Sequence, residues 1–371
     1  MEVYIILPSV NELLNVKSFE FLSSYSDCKL VIIDENNSNL RKKNDKLLSS
    51  LQHKYYGPRE REKWFKERFG SSYRKYLSVI PERCHAESSF GFLLAYEHTP
   101  DMIIEIDDDV YPVKDQNIIR MHWRNLTEKS GLTVKSGMNW YNTLENLKLN
   151  IPAAIFPRGH PYTPTARTEN YLWKNEGSSC VLNMGMWTGC PDLDALTVLY
   201  HKGLNGRCQI TAKVNKRDKI IVDKGTFIAL CSMNTSFIPK IVPAFYQLYM
   251  NCMNIDRFDD IWSGLFLKKV VDHLNDKVCL GIPLVYHDKR PRDTFKDLKA
   301  ELEGMAINER LWQMVDKIEL DGKSYLDAYI SLIRGLSDQV TKAFSSITHQ
   351  KFMDIQLKKM MLWTKIIDKL G

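Results

Sequence analysis

Three consecutive carboxylates, Asp107, Asp108 and Asp109, close the apolar run MIIEIDDDV that spans Met102 to Val110. The run is a strand candidate, and in open α/β sheets ligands collect beyond the carboxyl ends of the strands. Three like charges there are costly unless something positive joins them. Asp107 and Asp109, flanking Asp108, therefore read as an Asp-X-Asp clamp for Mg²⁺ or Mn²⁺, hard ions that take oxygen ligands and share their shell with a substrate diphosphate. The alternative is a solvated acidic turn that merely ends a strand. Five more chemically dense segments follow in order: NWYNTL at Asn139 to Leu144, FPRGHPY at Phe156 to Tyr162, NMGMWTGCPDLDA at Asn183 to Ala195, RFDDIWSG at Arg257 to Gly264, and GIPLVYHDK at Gly281 to Lys289.

Regular elements must hold these groups. Val3 to Leu7, closed by Pro8 and Ser9, and Lys29 to Ile33, ending on Asp34, are continuous apolar runs of the kind that form parallel strands covered on both faces. Helical spacing over Glu12 to Ser24 places a helix between them, and Arg83 to Tyr96 predicts a helix leading into the Met102 strand. The order describes the nucleotide-sized half of an α/β sheet. From Asn183 to Leu230 short apolar stretches alternate with turn signals, and Ile255 to His273 predicts another helix. Beyond about Thr294 a long helical periodicity runs through Leu302, Trp312, Tyr325, Leu332, Phe344, Met353 and Trp363. It divides the chain into a domain over 1–298 and a helical appendage over 299–371, suited to packing or to self-association as a homo-oligomer. Arg41 to Lys75 interleaves basic residues with Tyr55, Tyr56, Trp64, Phe65, Phe69 and Tyr73. Such a pattern can track a phosphate backbone and stack bases, but KWFKERF also has the form of a plain amphipathic helix, which is the preferred reading.

Composition narrows the class. The 371 residues are 44% hydrophobic, and 51 Lys and Arg against 45 Asp and Glu give a net charge of +6, which mildly favours polyanionic ligands such as nucleotides. Eight cysteines without Cys-X-X-Cys pairs argue against a zinc knuckle or disulfide framework and read as reduced thiols of a cytoplasmic protein. No apolar run reaches the length of a membrane span, so no membrane partner is expected. The absence of a Gly-X-Gly-X-X-Gly turn, a Walker loop and a Gly-X-Ser-X-Gly elbow argues against NAD enzymes, P-loop ATPases and α/β-hydrolases.

Taken in order, the acidic triplet and the dense segments that follow it resemble the reversibly glycosylated polypeptide family, the UDP-arabinopyranose mutases. That pattern has an Asp-Asp-Asp strand end, an Arg-Gly-Tyr-Pro-Phe segment, a Trp-containing segment ending Pro-Asp-X-Asp-Ala, an Arg-Tyr-Asp-Asp helix start and a strand closing on His-Ser-Lys. The match runs from about Val3 to Leu298. It implies an α/β fold of the GT-A type, a mixed-sheet nucleotide-sugar domain, with a UDP-sugar donor and a divalent metal, Mn²⁺ or Mg²⁺. Asp107 and Asp109 match the metal pair, and His287 matches the position of the His that completes the coordination. A ring nitrogen can join two carboxylates around Mn²⁺. Arg158 matches the family's Arg, which resembles the site of reversible glycosylation, and its planar fork suits a diphosphate. Asp259 and Asp260 match the Asp-Asp pair at a helix start, where one carboxylate can cap amides while its neighbour faces the sugar. Asp34 and Asp108 fall on the donor side of such a fold. Trp140 and Tyr141 are candidates to line the sugar pocket, and Trp187 and Asp192 to shape it.

Departures bear on the reaction. The family's Tyr-Pro-Phe-Ser becomes His160-Pro161-Tyr162-Thr163, the following acidic segment is replaced by TARTENYLWKNEG, and the helical tail is long. A mutase must close around the freed glycosyl group, whereas a transferase leaves one wall open to an acceptor. Two enzymatic readings result. One interconverts UDP-arabinopyranose and UDP-arabinofuranose; the other transfers a pentosyl group to an external hydroxyl on a glycan, a protein or hydroxymethylated DNA. A third, non-catalytic reading is a UDP-sugar-binding subunit that works through a partner.

Overall fold

The computed structural model describes residues 1–35, 38–113 and 116–371. The chain opens with β1 (Val3–Ser9), a 3₁₀ helix over Leu14–Ser24, β2 (Cys28–Asp34), α1 (Ser38–Leu47) and β3 (His53–Tyr56). Then α2 (Pro58–Phe69), α3 (Tyr73–Leu77) and α4 (Ser88–His98) lead into β4 (Met102–Ile106). Shorter pieces follow: β5 (Val110–Pro112), α5 (Ile118–Thr127), β6 (Leu132–Ser136), β7 (Leu147–Leu149) and β8 (Tyr171–Lys174). After these come β9 (Leu182–Gly189), α6 (Ala195–Tyr200), β10 (Ala212–Asn215), β11 (Lys219–Val222), β12 (Asn234–Phe237), α7 (Asp259–His273) and β13 (Val278–His287). The chain ends in α8 (Thr294–Lys317), α9 (Tyr325–Ala343) and α10 (Ile347–Leu370).

The strands join one mixed sheet in the order β3-β2-β1-β4-β12-β9-β13-β11-β6-β8. β1 pairs in parallel with both β2 and β4, and β9 with β13, while β12 runs antiparallel between β4 and β9. This is the expected mixed α/β architecture. Every residue of β1 and β4 is buried, which is why their sequences read as unbroken apolar runs rather than alternating ones. The topology sets the carboxyl ends of β1, β4, β9 and β13 at one edge, and the antiparallel β12 brings its amino end there, with Asn234 opposite Ile106. Loops leaving these ends carry the dense segments.

Two expectations change. The predicted helix over Ile255 to His273 begins only at Asp259, because Met253, Asn254 and Arg257 have positive φ (57°, 60° and 68°) and cannot continue a right-handed helix. The 298/299 boundary falls inside α8, and the C-terminal helices are not an appendage: α9 packs on α7, and α10 packs on α9, α3 and α4. Trp363 of α10 is fully buried, stacks on Tyr246 with ring centroids 5.2 Å apart, and donates to the Val242 carbonyl. The apolar stripe that suggested self-association is thus spent inside the same core as the sheet. The basic segment, by contrast, is the plain helix preferred from its pattern: Trp64 and Phe65 of α2 are buried against Phe90, Phe69 packs on Phe65, and buried Arg61 pairs with Glu35. All eight cysteines are free thiols. No helix among the described residues is long and apolar enough to cross a membrane.

Candidate active site

At the edge where the strand ends gather lies a cavity of about 590 Å³. Its lining joins segments far apart in sequence: Ser9 and Asn11 after β1, His85 and Glu87 before α4, Asp107 to Asp109 after β4, and Arg158 with Asp192. Asp259 and Asp260 at the start of α7, and His287 with Lys289, Arg290 and Arg292 after β13, complete it. Eight of the residues singled out in the sequence therefore meet at one place: Asp107, Asp108, Asp109, Arg158, Asp192, Asp259, Asp260 and His287.

The three aspartates point to different partners. Asp108 accepts from the Ser9 hydroxyl at 2.9 Å and from Asn11 at 3.2 Å, and its other oxygen lies 3.4 Å from Arg290 Nε. Burial pushes its carboxyl up, against the opposing pull of Arg290. Asp109 faces His287 Nε2 at 3.7 Å. Burial works to raise Asp109 too, but His287 and Arg290 outweigh it and hold it below the usual carboxylate range. Asp107 turns away from both: its Oδ1 lies 3.8 Å from His85 Nε2, is buried, and has no hydrogen-bond partner. The other His85 nitrogen is 2.6 Å from Asp259 Oδ2. Burial alone would lower the His85 pKa, but Asp259 and Asp107 on either side hold it well above the ordinary imidazole value.

Arg158 forms a second centre. Its guanidinium lies 2.9 Å from Asp192 and 3.4 Å from both oxygens of Asp260, and it donates to the Arg257 carbonyl. Burial opposes its charge, yet the two carboxylates hold its pKa well above the ordinary value. Asp192, buried but beside Arg158 and Lys289, is pulled down to about 2. Asp260 is pushed up to about 6 by burial, reinforced by Asp259 and Asp192 and opposed by Arg158. Asp259 and Asp260 occupy the first turn of α7, where free helix amides favour negative charge. Gly159 does not serve ligand approach: its φ of +85° suits glycine, and a Cβ there would come within 2.4 Å of Ile261 of α7.

The resemblance's metal can be weighed against these groups. Among the described residues no three His, Cys, Asp or Glu side chains converge on a point where they could hold an ion. Two donors are nevertheless prepared. His287 Nδ1 sits 2.6 Å from the Cys190 carbonyl, which orients the ring so that Nε2 faces Asp109. A magnesium-like ion is commonly held by one or two carboxylates plus substrate phosphates, so Asp109 and His287 form a donor pair of the right kind, whereas Asp107 faces His85 instead.

Three proposed pocket residues lie elsewhere. Trp140 and Tyr141 are wholly buried and do not line the cavity: Trp140 packs edge-on to Trp312 and against Phe227, and Tyr141 packs against Tyr171 with its hydroxyl on Glu145. Their apolar surface builds the core beneath the Arg158 loop. Trp187 is also a core residue. Asp34 ends β2 in register with Ser9, is buried, and accepts from the Tyr55 hydroxyl. Sequence reasoning missed His85, Lys289, Arg290 and Arg292. The three cations in four residues after His287 were a readable signal, whereas a lone His before a helix was not.

A model of the reversibly glycosylated polypeptide family matches residues 2–371. The chain belongs to that family. It is 28% identical over 303 residues to UDP-arabinopyranose mutase 2 of Arabidopsis thaliana, covering 79% of this chain and 75% of the plant protein. It is 27% identical over 303 residues to the probable UDP-arabinopyranose mutase 2 of Solanum tuberosum, covering 79% and 74%. Against UDP-arabinopyranose mutase 1 of Oryza sativa subsp. japonica it is 28% identical over 239 residues, covering 62% and 58%. Among solved structures, apo mouse xyloside xylosyltransferase 1 aligns at a TM-score of 0.21 and 10% identity over 37% of this chain and 53% of that one, too slight a likeness to bear on the fold.

Proposed function

We propose that this family member is an enzyme that interconverts UDP-arabinopyranose and UDP-arabinofuranose by breaking and re-forming the anomeric C–O bond to UDP inside the 590 Å³ cavity. The observation that carries the reading is the fixed Arg158 fork lining the same cavity as the aspartate triplet, in a chain whose relatives are named for that reaction. Asp109 and His287 would hold Mn²⁺ or Mg²⁺, which stabilises charge on a departing diphosphate. Arg158, kept cationic by Asp192 and Asp260, compensates charge beside the sugar and phosphates. Asp260, with its pKa near 6, is the carboxyl suited to exchange a proton with a sugar hydroxyl. We infer that the uridine lies on the side of Ser9, with which Asp34 is in register.

The test is incubation of the purified protein with Mn²⁺ and UDP-arabinopyranose, with and without DNA carrying hydroxymethylcytosine, followed by chromatography and mass spectrometry of every component. The expected product is UDP-arabinofuranose in the absence of any acceptor. Free UDP with a pentose added to the acceptor would replace the mutase by a transferase, and no turnover would leave a sugar-nucleotide-binding subunit. The aromatic residues of α2 that suggested a nucleic-acid acceptor are packed in the core and lend that alternative nothing.

A further inference from the structure

We propose that Lys289 is the cation that receives the diphosphate of the nucleotide sugar, an assignment that rests on the proposed function and extends it. Lys289 is only 6% exposed and lines the cavity two residues beyond His287. The other buried or half-buried cations around it are already matched: Arg158 with Asp192 and Asp260, Arg257 with Glu301, Arg290 with Asp108, and Arg292 with Asp297. The Lys289 side chain makes no hydrogen bond and no ion pair among the described residues. Its backbone, by contrast, is pinned, because Arg207 donates to its carbonyl. The acid that feels its field is Asp192, but both Asp192 oxygens are engaged by Arg158, at 3.2 and 2.9 Å.

A lysine held mostly out of bulk solvent, with its stem packed and no side chain bonded to its ammonium, is placed to gain when an anion enters the cavity beside it. Lysine binds phosphate as a compact point charge, with three rotatable donors that need no fixed fork. The position is also right in sequence and space. Lys289 follows the prepared Asp109–His287 pair on one side and lies within the field of the Arg158–Asp192 pair on the other. An anion bridging those two centres passes the Lys289 ammonium.

Calorimetric titration of the full chain with UDP, UMP and uridine in metal-free buffer tests this, using Lys289→Gln and Lys289→Arg beside the wild type. The expected result is a loss of UDP affinity of tenfold or more in Lys289→Gln, a smaller loss for UMP, none for uridine, and partial recovery in Lys289→Arg. Thermal stability of Lys289→Gln should be unchanged, since the substitution removes no hydrogen bond or ion pair. If Lys289 were instead a structural counter-charge for Asp192, Lys289→Gln would lower the melting temperature and leave the UDP-to-uridine ratio as it was, which overturns the proposal. A wild type that binds none of the three ligands, either in metal-free buffer or with Mn²⁺ added, would overturn the UDP-sugar reading itself. A wild type that prefers UDP, with Lys289→Gln binding it equally well, would overturn only the role of Lys289.

Discussion

Arg158 is held from three sides, by Asp192, Asp260 and the Arg257 carbonyl, and that geometry asks for a planar fork rather than a charge alone. Lysine keeps the charge but can serve one carboxylate at a time, leaving the other buried and unmatched. Arg158→Lys is therefore expected to lower turnover of UDP-arabinopyranose by about 10²-fold, the loss typical of removing one positioned electrostatic group, in steady-state assays by chromatography. Asp109→Asn makes a different demand. It keeps the shape of the site but removes the carboxylate charge that faces His287, so added Mn²⁺ should no longer raise the rate. A variant as metal-dependent as the wild type would show that the ion, if bound, sits elsewhere.

Helix α8 builds the wall that carries Arg158. Glu301 accepts from the Ala195 amide at 2.7 Å and pairs with Arg257 at 2.5 Å. Two turns on, Asn308 accepts from the Trp262 indole and donates to the Gly159 carbonyl, both at 2.9 Å. Glu309 accepts from the amides of Tyr162 and Thr163 at 2.5 and 3.0 Å. One helix therefore fixes the loop at Gly159 and just beyond it, and ties it to α7. Asn308→Asp keeps the acceptor for Trp262 but sets a carboxylate against the Gly159 carbonyl. Its expected effect is a fall in turnover of about tenfold to 10²-fold, since misplacing a catalytic group by an ångström costs that much, with an unchanged far-ultraviolet circular dichroism spectrum.

Across the whole molecule the sheet and the three C-terminal helices share one core. Trp363→Ala should then destabilise the entire chain by about 3–5 kcal/mol, the usual penalty for deleting a buried aromatic, as a single cooperative shift in urea unfolding. A chain ending at 298 should not fold. Acid should weaken the protein through two buried imidazoles, His122 against Asn234 and His160 against the Ala166 carbonyl, which burial pushes down to about 4. Unfolded, both protonate near 6.5, so between those values the unfolded state binds more protons and stability falls as the pH drops. The slope is on the order of 1 kcal/mol per pH unit for each ring. Replacing both with Gln should flatten the difference in urea midpoint between pH 7 and pH 5; an undiminished slope would assign it to other groups.

The sequence by itself determined the strands that lead into the site and the residue types that meet there. Doubly buried strands must be apolar throughout, so β1, β2 and β4 announce themselves, and a carboxylate triplet at such a strand's end has few uses other than ligand binding. Family membership was likewise legible, because the dense segments keep their order along the chain. Only the tertiary structure decided which of the chemically suggestive residues face the cavity. Trp140 and Tyr141 are indistinguishable in sequence from pocket aromatics, yet the pairing of Tyr141 with Phe227 and the packing of Trp312 turn both inward. His85 joins Asp107 to Asp259 across more than 150 residues of chain, and Asp192 becomes the partner of Arg158 through contacts no spacing encodes. The C-terminal helices show the same limit: their periodicity fixes that one face is buried, but whether it buries against its own chain or another depends on where the fold places it.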